Sequence, residues 1–170
     1  AVLLLMVSGV GFLIHVFSTF YMGHDKRFAR YMIYMALFTT GMLGVALSDN
    51  FFSFFMFWEL MGFCSYSLIG FWYEKEINGD ASMKAFMTTR IGDVFFLFAL
   101  LICWNVTKQV NGVGSFAFVD IYNAISAGGF KGKMLMGIPL ATFAGFCFFM
   151  GTIGKSAQFP LQVWLPDAMR

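Results

Sequence analysis

Five stretches of this chain, 2–22, 31–48, 51–73, 81–104 and 134–158, are apolar over about the length a helix needs to cross a bilayer. Such a helix takes about 20 apolar residues at 1.5 Å each. Short polar connections separate the first four: residues 23–30, then a turn around Asp49-Asn50, then residues 74–80. The composition agrees. The chain is 59% apolar and 12% charged, where a soluble domain is about 45–50% apolar and about 25% charged. Its 24 Phe and 13 Met exceed what a core of 170 residues can hide, because a soluble domain of this size leaves about 30% of its chain surface in water. A soluble enzyme, a nucleic-acid binder and a disordered tail are excluded, and a net charge of +2 argues for no polyanionic partner. The expected fold is all-α, a polytopic transmembrane helix bundle forming a single membrane domain over 1–170 with the lipid bilayer as its surroundings.

Residues 105–133 read as an extramembrane connection, Gly-rich, with an amphipathic piece from Phe116 to Ile125 suited to the membrane surface. Lys26, Arg27, Arg30 and Lys75 on one side outnumber Lys108, Lys131 and Lys133 on the other, which places the 23–30 loop on the cytoplasmic or matrix side. The start at Ala1, without Met or a basic stretch before the apolar run, is unlike a signal peptide, and the expectation is an internal piece of a longer chain. Cys64, Cys103 and Cys147 lie far apart in apolar runs without CxxC spacing, which reads as inert thiols. With His15 and His24 the only histidines, no His-rich metal cluster is expected. Asn105-Val106-Thr107 has the form of a glycosylation acceptor and reads as a chance match.

The informative residues are the ionisable ones inside the apolar segments. A charge at a helix centre costs about 2.5–3.5 kcal/mol on insertion scales. Glu59 falls nearly half-way along the third segment with no basic residue three or four positions away, so its partner must come from another helix. It is either a protonated carboxyl bonded between helices or a proton carrier tuned by burial and a nearby cation. Arg90 and Asp93 share a helix face and can pair locally, either to carry charge through the membrane or to serve a polar path. Lys84 can snorkel to the interface from the start of the fourth segment. Lys155 has two open placements. Met134 to Ile153 alone would span a bilayer and leave it at the interface, but Gly151, Gly154 and Pro160 bracket it as in a helix broken at membrane depth.

Taken together, Phe57-Trp58-Glu59-Leu60-Met61, Thr89-Arg90-Ile91-Gly92-Asp93 and Gly154-Lys155-Ser156-Ala157-Gln158-Phe159-Pro160 with Trp164-Leu165-Pro166-Asp167-Ala168-Met169 resemble one family. It is that of the antiporter-like proton-pumping subunits of respiratory complex I (NADH:quinone oxidoreductase). The first and last blocks are shared with multisubunit sodium/proton antiporters, and the block 89–93 points to the branch of subunit L and chain 5. The resemblance covers essentially the whole chain. It implies an antiporter-like fold whose last helix is discontinuous, with a break near 155–160 and a second half over 161–170, and it puts Lys155 near mid-membrane. It implies proton transfer through a Glu59–Lys155 pair supported by Asp93, Arg90 and, further along the polar axis, Lys84.

The implied mechanism is electrostatic. At about 4 Å and an effective dielectric of about 20, a carboxylate–ammonium pair is worth about 4 kcal/mol, so moving the carboxylate away releases the lysine's proton. Further implications are partners among the other membrane subunits of complex I, protons as the transported species, and no nucleic acid. No cofactor is expected on this chain, with NADH, FMN, iron–sulfur clusters and quinone belonging to other subunits. The expected location is a bacterial plasma membrane or the mitochondrial inner membrane. A histidine-relay helix and an inverted second repeat would follow Met169. The rival readings are a sodium/proton antiporter subunit, a membrane haem or quinone protein, for which one intramembrane histidine is too few, and a passive scaffold, which would not keep buried charge.

Overall fold

A computed structural model of the chain describes residues 1–169. Its elements are α1 (Val2–Tyr21), α2 (Phe28–Leu47), α3 (Phe51–Ile69), α4 (Glu76–Asn111), α5 (Phe118–Ser126), a hairpin of β1 (Met134–Leu135) and β2 (Ile138–Pro139), α6 (Leu140–Lys155), a 3-10 turn (Gln162–Trp164) and α7 (Leu165–Ala168). Helices α1 to α4 are long and apolar enough to cross a membrane, at 20, 20, 19 and 36 residues. The chain is an all-α membrane protein.

Its packing is inverted relative to a soluble domain. Phe12, Phe17 and Phe20 on α1 are exposed, as are Phe52 and Met56 on α3, while small or polar residues such as Ala99, Cys64, Cys147, Ser18 and Thr107 are buried alongside larger ones such as Phe96, Leu100 and Val106. With lipid outside, helix contact gains little from sequestering large apolar groups. It comes instead from close backbone approach across small residues.

The contacts divide into two compact units. One contains α1, α2, most of α3, the start of α4 and, among the described residues, 167–169. Here α2 meets α3 at Gly41 and Gly44: a Cβ at Gly41 would stand 2.9 Å from the Met61 side chain, and one at Gly44 would enter the Phe57 ring. The other contains residues 49–52 and 87–166. In it Phe51 packs edge-on to Phe118 and stacks on Phe148, with ring centroids 4.7 and 4.8 Å apart. The Phe51 N–H donates to the Phe116 carbonyl, so the connecting segment is tied to the start of α3.

Several boundaries differ from those that hydropathy suggests. Helix α4 runs from 76 to 111 rather than 81 to 104. Glu76 in its first turn and Lys108 in its last complement the helix dipole, and the backbone hydrogen-bond ladder continues beyond the apolar stretch. Thr107 lies inside this extension, fully buried, with its hydroxyl bonded to the Trp104 and Ser115 carbonyls, so the acceptor-like tripeptide is part of a packed helix. The next helix starts at Leu140 rather than Met134 because residues 134–139 form the hairpin. Met136 and Gly137 both have positive φ, the geometry of a two-residue hairpin turn, and Pro139 is the N-cap of α6. Helix α3 ends at Ile69, not 73. Helix α5 falls on the expected amphipathic piece and buries Ile121 and Ala124.

Candidate functional site

The site is built where α6 stops. Helix α6 has 16 residues, about 24 Å of rise against about 30 Å of bilayer hydrocarbon, and Lys155 is its last. The stop is a Schellman turn: the Gln158 N–H reaches back to the Ile153 carbonyl at 3.1 Å while Ala157 takes a left-handed φ of 49°. Glycine usually occupies that position, and an alanine there carries strain. The freed carbonyl of Gly154 accepts a hydrogen bond from the Trp164 indole at 3.1 Å, which folds the 3-10 turn back onto the helix end. The chain then resumes as α7. The last helix is therefore interrupted, as the family resemblance implied, and Lys155 is not left on a helix running straight to the interface. Its second half is shorter and more broken than 161–170, and residue 170 lies outside the described residues.

At this break the Lys155 ammonium lies 3.6 Å from Asp93 Oδ2, and Arg90 approaches the same oxygen at 4.0 Å. The Asp93 side chain is only 3% exposed and that of Lys155 16%. A carboxylate so buried is tolerated because two cations face it. The spacing follows from glycine. A Cβ at Gly92 would stand 2.8 Å from the Met150 carbonyl and 3.2 Å from the Gly154 Cα, and one at Gly151 would meet the Phe96 side chain at 2.6 Å. Helices α4 and α6 thus touch backbone to backbone, one residue from Asp93 on one helix and one from Lys155 on the other.

The remaining sequence-predicted residues are placed as follows. Glu59 is on α3, half-buried, in the first unit. Lys84 is bonded to Asp167 at 2.5 Å, its side chain 46% exposed. Asp93, Arg90 and Lys155 come together as one cluster. Sequence reasoning gave no role to Asp167, Trp164, Gly92 or Gly154. Trp164, Asp167 and Gly92 were visible only as members of a motif, and Gly154 only as a helix breaker.

Two family models match the chain. The one described as NADH:quinone oxidoreductase/Mrp antiporter, TM covers residues 48–170, and the one described as NADH-ubiquinone oxidoreductase (complex I), chain 5 N-terminus covers residues 1–32. The chain belongs to the complex I antiporter-like membrane subunit family. Within that family it is 46% identical to the F(420)H(2) dehydrogenase subunit L of Methanosarcina mazei, over 99% of this chain and 26% of that protein. It is 41% identical to the chloroplastic NAD(P)H-quinone oxidoreductase subunit 5 of Populus trichocarpa, over 99% of this chain and 21% of that protein, and 42% identical to that of Aethionema cordifolium, over 99% and 22%. The chain spans about a quarter of the length of the curated relatives it matches. Archaeal and chloroplast relatives widen the range of membranes beyond the bacterial and mitochondrial ones expected from the sequence, and an integral membrane location stands.

Proposed function

We propose that this chain is part of a non-redox, proton-translocating subunit of a quinone-reducing respiratory or photosynthetic complex. In this reading it moves protons through Lys155 and Glu59 while other subunits hold the electron donor, flavin, iron–sulfur clusters and quinone. The observation that carries the reading is the half-buried ammonium of Lys155 at an interrupted helix end, 3.6 Å from the buried Asp93. An ammonium beside a carboxylate holds its proton, and one whose carboxylate is withdrawn or neutralised gives it up. Arg90 stays within 4.0 Å of Asp93 whichever charge Lys155 carries, so the cluster has two states of different charge and one framework. Glu59 supplies a second intramembrane carboxylate that a partner membrane subunit can influence.

The test uses the full-length subunit in its assembled complex. Glu59→Gln and Lys155→Gln are expected to leave electron transfer to quinone measurable while most of the coupled proton uptake into vesicles is lost. Full pumping in an assembled variant would overturn the role of these residues. The second reading, a multisubunit sodium/proton antiporter subunit, is favoured by the Mrp antiporter description of the family model matching 48–170. Sodium-dependent proton exchange without any electron donor, lost in the same variants, would decide for it.

A further inference from the structure

A cavity of about 490 Å³ opens among the ends of three helices in the first unit, and the proton path makes no use of it. Arg30 contributes from the first turn of α2, Tyr73 from the turn after α3, and Asp80 from the second turn of α4. Tyr34, Tyr66 and Ser67 line it deeper along α2 and α3. Lys26, Arg27, Arg30 and Lys75 mark this end of the helices as the basic, headgroup-level side. Tyrosines belong at that level, with rings toward hydrocarbon and hydroxyls toward water.

The cavity wall carries one cation and one anion that do not neutralise each other. Among the described residues, neither Arg30 nor Asp80 forms an ion pair. A ligand of one sign would satisfy one of them and be repelled by the other. Both side chains are exposed, so solvent screens them, and the ligand that meets each with its opposite charge is a headgroup carrying both signs. A guanidinium recognises phosphate through paired N–H donors, with tyrosine hydroxyls adding to them. A primary ammonium offers a carboxylate three N–H donors, which the methylated ammonium of choline lacks.

We propose that this cavity binds the headgroup of an ethanolamine-type phospholipid, with its phosphate on Arg30 and the tyrosine hydroxyls and its ammonium on Asp80. The acyl chains leave past Met83, which is 53% exposed. The proposal is independent of the proton path, since neither Lys155 nor Asp93 takes part.

The test is photolabelling of the complex that contains the full-length subunit. The probe is a phosphatidylethanolamine with a diazirine near the start of one acyl chain, presented in dioleoyl-phosphatidylcholine vesicles, and labelled peptides are read by mass spectrometry. Label is expected within 66–73 and 79–83. Unlabelled dioleoyl-phosphatidylethanolamine should compete about tenfold better than the phosphatidylglycerol or phosphatidylcholine counterpart. Asp80→Asn and Arg30→Gln should each cut the label by about tenfold, equal to about 1.4 kcal/mol, with quinone reduction retained as the control for assembly. Equal competition by the three headgroups, displacement by inorganic phosphate, or undiminished label in Asp80→Asn would each overturn the proposal. Headgroup competition on the unmodified complex and the Asp80 variant decide it even if Arg30→Gln fails to assemble.

Discussion

Arg27 and Asp93 each anchor a small ion cluster made from the same kinds of group, and the cluster with the shorter bond is the weaker one. Around Arg27, the guanidinium reaches Glu74 at 2.5 Å and lies over the Phe71 ring at 5.4 Å from its centroid, while Asp25 accepts from the Arg27 N–H and the Trp72 indole at 2.7 and 3.0 Å. Around Asp93, the contacts to Lys155 and Arg90 are 3.6 and 4.0 Å. The Glu74 side chain is 55% exposed and that of Asp93 is 3% exposed. Water and salt screen the first cluster, whose charges would be almost as well solvated apart. In the second, Asp93 has no such alternative and is tolerable only because Lys155 and Arg90 face it, although the Arg90 side chain is itself 32% exposed. Separation in ångströms is a poor guide to worth; access to water decides.

The comparison is broken most forcefully by removing one charge from the buried cluster. Asp93→Leu leaves two cations facing each other and is expected to destabilise the subunit by about 3–5 kcal/mol, seen as loss of the assembled complex on a native gel. A double replacement of Asp93 and Lys155 by apolar residues should recover much of the assembly without recovering pumping. Equal assembly in the single and double variants would show that the cluster is not the electrostatic unit described.

Next in size is Gly92→Ala. Its Cβ would press on the Met150 carbonyl, so the helices must part. The expected cost is about 1–3 kcal/mol, with fewer protons moved per electron while quinone reduction persists, measured as the ratio of proton uptake to quinone reduced. Trp164→Phe removes one donor from the Gly154 carbonyl and should cost about 1 kcal/mol, read as a lower melting temperature of the complex with pumping only slightly reduced. The exposed cluster should respond least. Glu74→Gln is expected to change stability by less than about 1 kcal/mol, vanishing at high salt, with no effect on pumping.

The pH response of the exposed cluster sharpens the same contrast. The Arg27 backbone N–H, and after it the Trp72 indole, hold the Asp25 carboxyl below the usual carboxylate range. A carboxyl ionised more readily in the folded chain contributes stability above its ordinary value, and that contribution disappears as pH falls through the lowered one. Asp25→Asn should therefore melt earlier than the parent at neutral pH, with the difference closing only in acid below the usual carboxylate range.

How much of this was legible beforehand depended on the kind of signal. The four long spans and the local reach of Arg90 to Asp93 follow from hydropathy and from helical spacing, whereas Gly154 and Pro160 left the interruption after Lys155 open against a placement at the interface, and the family resemblance implied it. The approach of Lys155 to Asp93 is a tertiary fact set by two glycine backbones meeting, and no local pattern in one sequence encodes it. The pairing of Lys84 with Asp167 is hidden for the same reason. Hydropathy misplaced the hairpin because Met134, Leu135 and Ile138 are apolar, although Gly137 and Pro139 carried the turn signal. It also ended α4 early, since a helix needs satisfied backbone bonds and not apolar side chains to continue.

The contact of Gly92 with Gly154 has a further consequence, for hydration. A Cβ on Gly92 would stand 3.2 Å from the Gly154 Cα and one on Gly154 3.3 Å from the Gly92 Cα, so the two backbones are in van der Waals contact and leave no gap for a water molecule between them. The seam between the two backbones is dry, although it runs one residue from Asp93 and one from Lys155. A chain of waters carrying protons to the lysine must come around the seam rather than through it, so the two glycines act as an insulating wall on one flank of the ammonium.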